Sequence, residues 1–159
     1  MNMEYKDVIA ARHSVRRFNG QPVDRRVLEG IVAQARTAPS SRNSKSSEFL
    51  IVDDPSVLER ISRMREYGSA FLKDAPAAIV VMGDTTKTDL WVDNAAICAT
   101  YIMLSATDCG LGSCWVHVNG RTRNRHDDER GYAEDYLRTF LPVPPDFRIL
   151  CVVAIGGEA

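Results

Sequence analysis

Three arginines, a histidine and a serine fall within six residues at Arg12-His13-Ser14-Val15-Arg16-Arg17. In an extended chain, side chains alternate, so Arg12, Ser14 and Arg16 share one face. In a helix Arg12 and Arg16 still share a face, because they are four apart. Either geometry lets two guanidinium forks converge on one spot. A planar fork of N–H donors fits a phosphate or carboxylate better than a lysine does. The same run also suits a solvated basic loop.

Two further stretches could meet a ligand. Ala38-Pro39-Ser40-Ser41-Arg42-Asn43-Ser44-Lys45 is dense in small polar groups. It reads either as a solvated connection or as hydroxyl and amide donors for a ligand's polar edge, with Arg42 or Lys45 adding charge. Gly110-Leu111-Gly112-Ser113-Cys114-Trp115 contains G-x-G. A dinucleotide fingerprint follows a strand and opens a helix, whereas this one closes a helix and opens a strand. It reads as a helix cap and turn, or as a place where backbone approaches a flat ligand because no Cβ obstructs. The acidic run Asp127-Asp128-Glu129 reads as a solvated loop. No nucleophile elbow, P-loop or cysteine–histidine pair with family spacing occurs. An enzyme with no evident catalytic side chains delegates its reaction to a cofactor.

Composition bounds the remaining possibilities. At 159 residues with 45% hydrophobic side chains, one domain with an ordinary core is expected over 1–159. Twenty basic and 21 acidic groups leave a net charge of -1, so nucleic acid is not an expected partner and a local basic cluster suggests a small anion. No apolar run approaches the ~20 residues that span a bilayer, and Met1–Asp7 lacks the apolar stretch of a signal peptide. Cys98, Cys109, Cys114 and Cys151 form no C-x-x-C pair, and three sit in apolar surroundings; buried thiols in a reducing cytoplasm are expected. His13, His117 and His126 have no metal-ligand spacing, so no metal site is expected.

The elements that must position these residues follow from periodicity. Tyr5–Ala11 reads as a short helix ending at the arginines. Asp24 is a helix N-cap before Val27, Leu28, Ile31, Val32 and Ala35 at helical spacing. Thr37–Ser47 is a loop, and Phe49–Val52 a short strand. Asp54-Pro55 opens a helix expected to reach Glu66. Ala77–Met82 is a buried strand, and Asp89–Asp108 a long helix, apolar nearly all round. Gly110 is its left-handed end, with Leu111 the hydrophobic contact beyond. Ser113–Val118 is a strand, Asn119–Arg130 a charged loop, Tyr132–Leu141 a helix and Arg148–Ile155 the last strand. Interleaved helices and strands give an α/β or α+β sandwich of helices on a small sheet.

Taken together and in order, these segments resemble the nitroreductase family, in particular its short members. Arg12-His13-Ser14-Val15-Arg16 is similar to that family's N-terminal phosphate motif, Ala38-Pro39-Ser40-Ser41 with Asn43 to its A-P-S-S-x-N loop, and Gly110–Trp115 to its G-L-G-S-C-W turn. Ala75-Pro76 and Ala154-Ile155-Gly156 also fit. The resemblance implies an α+β fold, with a small central sheet flanked by helices. It implies a homodimer holding FMN at its interface and using NADH or NADPH to reduce a small electron-poor acceptor such as a nitroaromatic or quinone. Arg12, His13, Ser14 and Arg16 would then serve the FMN phosphate and ribityl end. Pro39, Ser40, Ser41, Asn43 and Lys45 would reach the partner subunit's flavin. Gly112, Trp115, Val116 and His117 would lie along the isoalloxazine. No side chain of its own would be catalytic. The alternatives are a related flavoprotein acting on a specific metabolite, or a non-enzymatic flavin- or anion-binding dimer.

Three departures from the family pattern bear on function. Lys45 stands where glutamine is usual, which would put a positive charge near the flavin's pyrimidine edge. His117 and Val118 follow the turn where small residues are common. The sequence stops at Ala159, before the basic tail that relatives use to hold the phosphate, so a weaker phosphate cluster is expected.

Overall fold

A computed structural model describes residues 3–125 and 130–159. Five helices, α1 (Tyr5–Ala11), α2 (Arg25–Ala35), α3 (Pro55–Ser62), α4 (Trp91–Asp108) and α5 (Ala133–Arg138), surround four strands. The strands are β1 (Ser47–Val52), β2 (Ala77–Asp84), β3 (Gly112–His117) and β4 (Phe147–Gly156), with 3-10 turns at Ser41–Asn43 and Ala70–Asp74. The sheet order is β1-β2-β4-β3, and every neighbouring pair is antiparallel. This is the α+β architecture expected from the sequence.

The central strands explain why Ala77–Met82 is apolar without alternation. Ala78, Val80 and Met82 pack under α3 and α5, while Ala77, Ile79 and Val81 pack under α2 and α4. A strand covered on both faces has no polar side to show. The second layer of helices thus makes two cores, one on each face of the sheet. Asp24 and Asp54 cap α2 and α3 through carboxylate oxygens that accept from the Arg26 and Ser56 N–H groups. Gly110 has φ +77°, and the Leu111 N–H donates back to the Ala106 carbonyl at 2.8 Å, closing α4 as expected.

Two helices are shorter than periodicity suggests. α3 ends at Ser62 rather than near Glu66, because the Ser69 hydroxyl donates to the Ser62 carbonyl at 2.7 Å and turns the chain. α5 spans Ala133–Arg138 rather than Tyr132–Leu141. Leu141 precedes Pro142, and the residue before proline disfavours helical backbone. α4 is not bare all round. Ala95, Ala99, Ile102 and Ala106 face the sheet, whereas Ile97 is exposed. The stretch Asp127-Asp128-Glu129, with His126, lies outside the described residues.

Candidate functional site: two corners of one sheet

The arginine motif sits where α1 ends. Arg12 is the residue just past the helix, and the chain then runs extended beside β3, with the Val15 N–H donating to the Ser113 carbonyl at 2.9 Å. Ser14 pairs in parallel with Ser113. Gly112 permits this approach, since a Cβ there would fall 2.6 Å from Val15 Cγ2. Ser14 and Arg16 lie next to the buried Cys114 thiol, which burial pushes up and Arg16 holds down. Among the described residues, Arg12 and Arg16 make no ion pair with a carboxylate. His13 differs. Its Nε2 lies 3.0 Å from Glu158, and its Nδ1 3.0 Å from the Ala11 carbonyl. These contacts, the Ala11 carbonyl first, raise its pKa above 6.5.

The polar loop sits at the far end of the sheet. Three of its residues hold left-handed backbone without being glycine: Arg42 (φ 52°), Asn43 (φ 54°) and Lys45 (φ 50°). Such conformations cost of order 1 kcal/mol or more each and persist only where surroundings impose them. Here Asn94 imposes them. It is 3% exposed on α4, and its amide nitrogen lies 3.1, 3.3 and 3.0 Å from the Ser41, Ser44 and Ser46 hydroxyl oxygens, which share its two N–H groups. Its carbonyl accepts from the Ser41 N–H at 3.0 Å. The Ser40 hydroxyl accepts from the Lys45 N–H. Pro39 and Asn43 are exposed. The loop borders a groove of about 310 Å³ lined by Arg36, Ser40, Lys45, Phe49, Lys87 and Cys98.

The third set lies along β3. Trp115 and His117 point to the same side, with ring centroids 6.1 Å apart and nearly parallel. Trp115 Nε1–H donates to His117 Nδ1 at 3.1 Å, which requires Nε2 to carry the imidazole proton. Burial, and then Arg121, lower the pKa of His117. Val116, between Trp115 and His117, faces the other way. Its side chain is 4% exposed inside the core beneath α3 and α5, so only its backbone can meet a ligand.

One chain does not bring the three sets together. Gly112, beside the arginines, pairs with Gly156 at one end of β4. Ser47, where the loop ends, pairs with Gly83, and Gly83 with Arg148 near the other end of β4. The arginines and the loop therefore occupy diagonally opposite corners of the sheet, on its two edge strands. Residues that sequence reasoning missed are Asn94, which reads as one polar residue in an apolar helix, and Arg65 and Arg121 beside His117. The alternation Arg121-x-Arg123-x-Arg125 was the available signal for the latter. Among the described residues no group of three or more metal-ligating side chains gathers, and no helix is long and apolar enough to cross a membrane.

The chain matches the nitroreductase family model over residues 9–65 and 59–157. An Archaeoglobus fulgidus protein provisionally named NADH dehydrogenase/NAD(P)H nitroreductase is 31% identical over 153 residues, which cover 94% of this chain and 82% of that protein. A similarly named Methanothermobacter thermautotrophicus protein is 31% identical over 119 residues, and the match spans only 62% of that protein's length. Among solved structures, an FMN-dependent nitroreductase from Clostridium difficile superposes with a TM-score of 0.87 at 38% identity, covering 95% of this chain and 86% of that one. The family model covers well over half of the chain, and the chain belongs to the nitroreductase family.

Proposed function

We propose that this protein is an FMN-dependent NAD(P)H oxidoreductase that passes hydride to an electron-poor acceptor such as a nitroaromatic or quinone, working as a homodimer with FMN between subunits. The observation that carries this reading is the diagonal separation of the arginine corner and the loop corner. Each corner offers ligand-binding groups, and a two-fold partner supplies the missing half.

The residues present fit FMN. Arg12 and Arg16 have no carboxylate partner among the described residues, and with Ser14 they offer donors suited to a phosphate. When bound, FMN supplies the atom that accepts and returns hydride. This chain's part is to bind, orient and polarise. Ser40, Ser41 and Asn43, on a loop pinned by Asn94, present polar groups in a fixed arrangement to the partner's half. Trp115 and His117 offer a stacked pair on β3, and Gly112 lets Val15 and the arginine segment close onto that strand. His13 is committed to Glu158 and Ala11, so in this reading it braces the arginine segment rather than contacting phosphate directly.

An anaerobic titration tests the reading. The purified protein should be yellow, and NADH or NADPH should bleach it, with colour returning when acceptor is added. A colourless protein that ignores added FMN would defeat it. A non-enzymatic flavin binder would be yellow but would not bleach. Arg12→Ala should weaken FMN binding by roughly one to two orders of magnitude, from the loss of a charge-assisted bond of about 1.5–3 kcal/mol. Fluorescence titration measures this, and unchanged affinity would remove Arg12 from the site.

A further inference from the structure

A second basic feature stands apart from the arginine motif. A cleft of about 570 Å³ opens between α3, the Ala70–Asp74 turn and α5, lined by Arg63, Arg65, Lys73, Arg123, Arg130 and Tyr136. Among the described residues its one carboxylate is Glu59, which Arg63 engages at 2.5 Å. Arg123 is held by the Met64 and Arg63 carbonyls, with its guanidinium 3.8 Å from the Tyr136 ring centroid. Arg65 and Lys73 have no ion-pair partner among the described residues. The Nε–H of Arg65 is buried and donates to nothing there. A buried donor with no acceptor is costly, and a guanidinium cannot escape by losing its proton. Burial and the neighbouring Arg121 both disfavour the charge on Arg65. Arg65 and Arg121 in turn act on His117 at the end of β3. Arg123 on the cleft wall follows the last residue of β3 by only six positions, so the cleft lies just past the end of the strand that the proposed function assigns to the flavin.

Positive charge well in excess of the single carboxylate on the described walls selects a multiply charged anion. The volume exceeds what a lone carboxylate fills and lies in the range of nucleotide-sized sites. We propose that this cleft receives the phosphate-bearing end of the dinucleotide co-substrate, with Arg65 and Lys73 as the principal contacts. The inference rests on the oxidoreductase reading above. It identifies where the co-substrate's charge is recognised.

Inorganic pyrophosphate is a direct probe. Calorimetry on the FMN-loaded protein should show pyrophosphate binding that weakens about tenfold or more in Arg65→Gln and in Lys73→Glu, since each removes a charge-assisted contact. Lys73 is exposed, so that variant keeps the test alive if Arg65→Gln misfolds. Arg25→Gln, an exposed residue on α2 across the sheet, should bind pyrophosphate as the parent does. In steady-state assays pyrophosphate should compete with the dinucleotide, and both cleft variants should raise its KM with kcat at saturation unchanged. A rise for NADPH alone assigns the 2′-phosphate, and an equal rise for NADH assigns the pyrophosphate bridge; both support the cleft. Unchanged KM for both dinucleotides would overturn it, as would loss of FMN from the variants with KM unaltered. A parent protein whose flavin neither dinucleotide reduces would defeat the oxidoreductase reading and this assignment of the ligand. The pyrophosphate titration needs no turnover and separately decides whether the cleft binds phosphate.

Discussion

Lys45 holds its side chain at the mouth of the loop groove on a left-handed backbone imposed by its neighbours. A cation beside the flavin's pyrimidine edge favours the anionic reduced ring over the neutral oxidised one. Lys45→Gln should therefore lower the midpoint potential and slow reduction by NAD(P)H, with FMN affinity little changed. Potentiometric titration of parent and variant decides this, and identical midpoints would make Lys45 an ordinary surface lysine. His117 carries a prediction of a different kind. Burial first, and Arg121 second, hold its pKa below 6.5. Well above pH 6.5 the imidazole is neutral in both folded and unfolded chains and contributes no pH dependence. Below it the unfolded chain takes up the proton first, so acidification through this window destabilises the fold. Protonation also ends acceptance from Trp115 Nε1–H. The imidazole resonances of His117 should titrate with a midpoint under 6.5, moving upward in Arg121→Gln. A midpoint above 6.5 would contradict the arrangement.

Among the elements, α4 does most to separate and fix the two corners. Asn94 in its first turn pins the loop, and Asp108 in its last turn accepts from the Met3 N–H at 2.9 Å. These points are roughly 21 Å apart at 1.5 Å per helical residue. Its sheet-facing side is small, with Ala95, Ala99 and Ala106 letting the helix lie close to β2 and β4. Asn94→Ala removes the loop's anchor and leaves the buried Ser46 hydroxyl without its Asn94 partner. An orphaned buried group costs about 1–3 kcal/mol, so denaturant unfolding should show a loss of about 2–3 kcal/mol. FMN affinity should fall as well, because Arg42, Asn43 and Lys45 would relax from left-handed backbone. Stability and affinity both equal to the parent's would show that the loop holds its shape without Asn94.

At the scale of the molecule, a single chain holds the arginine segment and the polar loop apart, at opposite corners of the sheet beside its two edge strands. The homodimer proposed here is the arrangement that joins them. Sedimentation equilibrium at micromolar concentration should give twice the chain's 17.7 kDa, with flavin absorbance travelling with the dimer. A folded, flavin-loaded monomer would rule out a shared site. The exposed Ile97 on α4 and Tyr5 and Ile9 on α1 are large apolar groups the lone chain leaves uncovered, as an interface face would be.

Much of the local structure was legible in the chain because local chemistry sets it. Asp24 and Asp54 mark helix starts through side-chain oxygens, and Gly110 marks a helix end through its left-handed φ; each acts within a few residues. The unbroken apolar run Ala77–Met82 announced a strand buried on both faces. The three motifs that the proposed function assigns to the ligand were visible as residue types in order. What the chain does not display is which partners those residues meet across space. His13 finds Glu158 at a separation of 145 residues, and Asn94 finds Ser41 at 53. Arg65 comes to stand by His117, and Val116 turns into the core when the strand is seated under α3 and α5. The early end of α3 follows from a side-chain contact seven residues on, which periodicity does not report. Helical and strand periods report which face an element buries. Only closure of the sheet determines what lies opposite that face, because long-range pairing depends on the packing of every layer together.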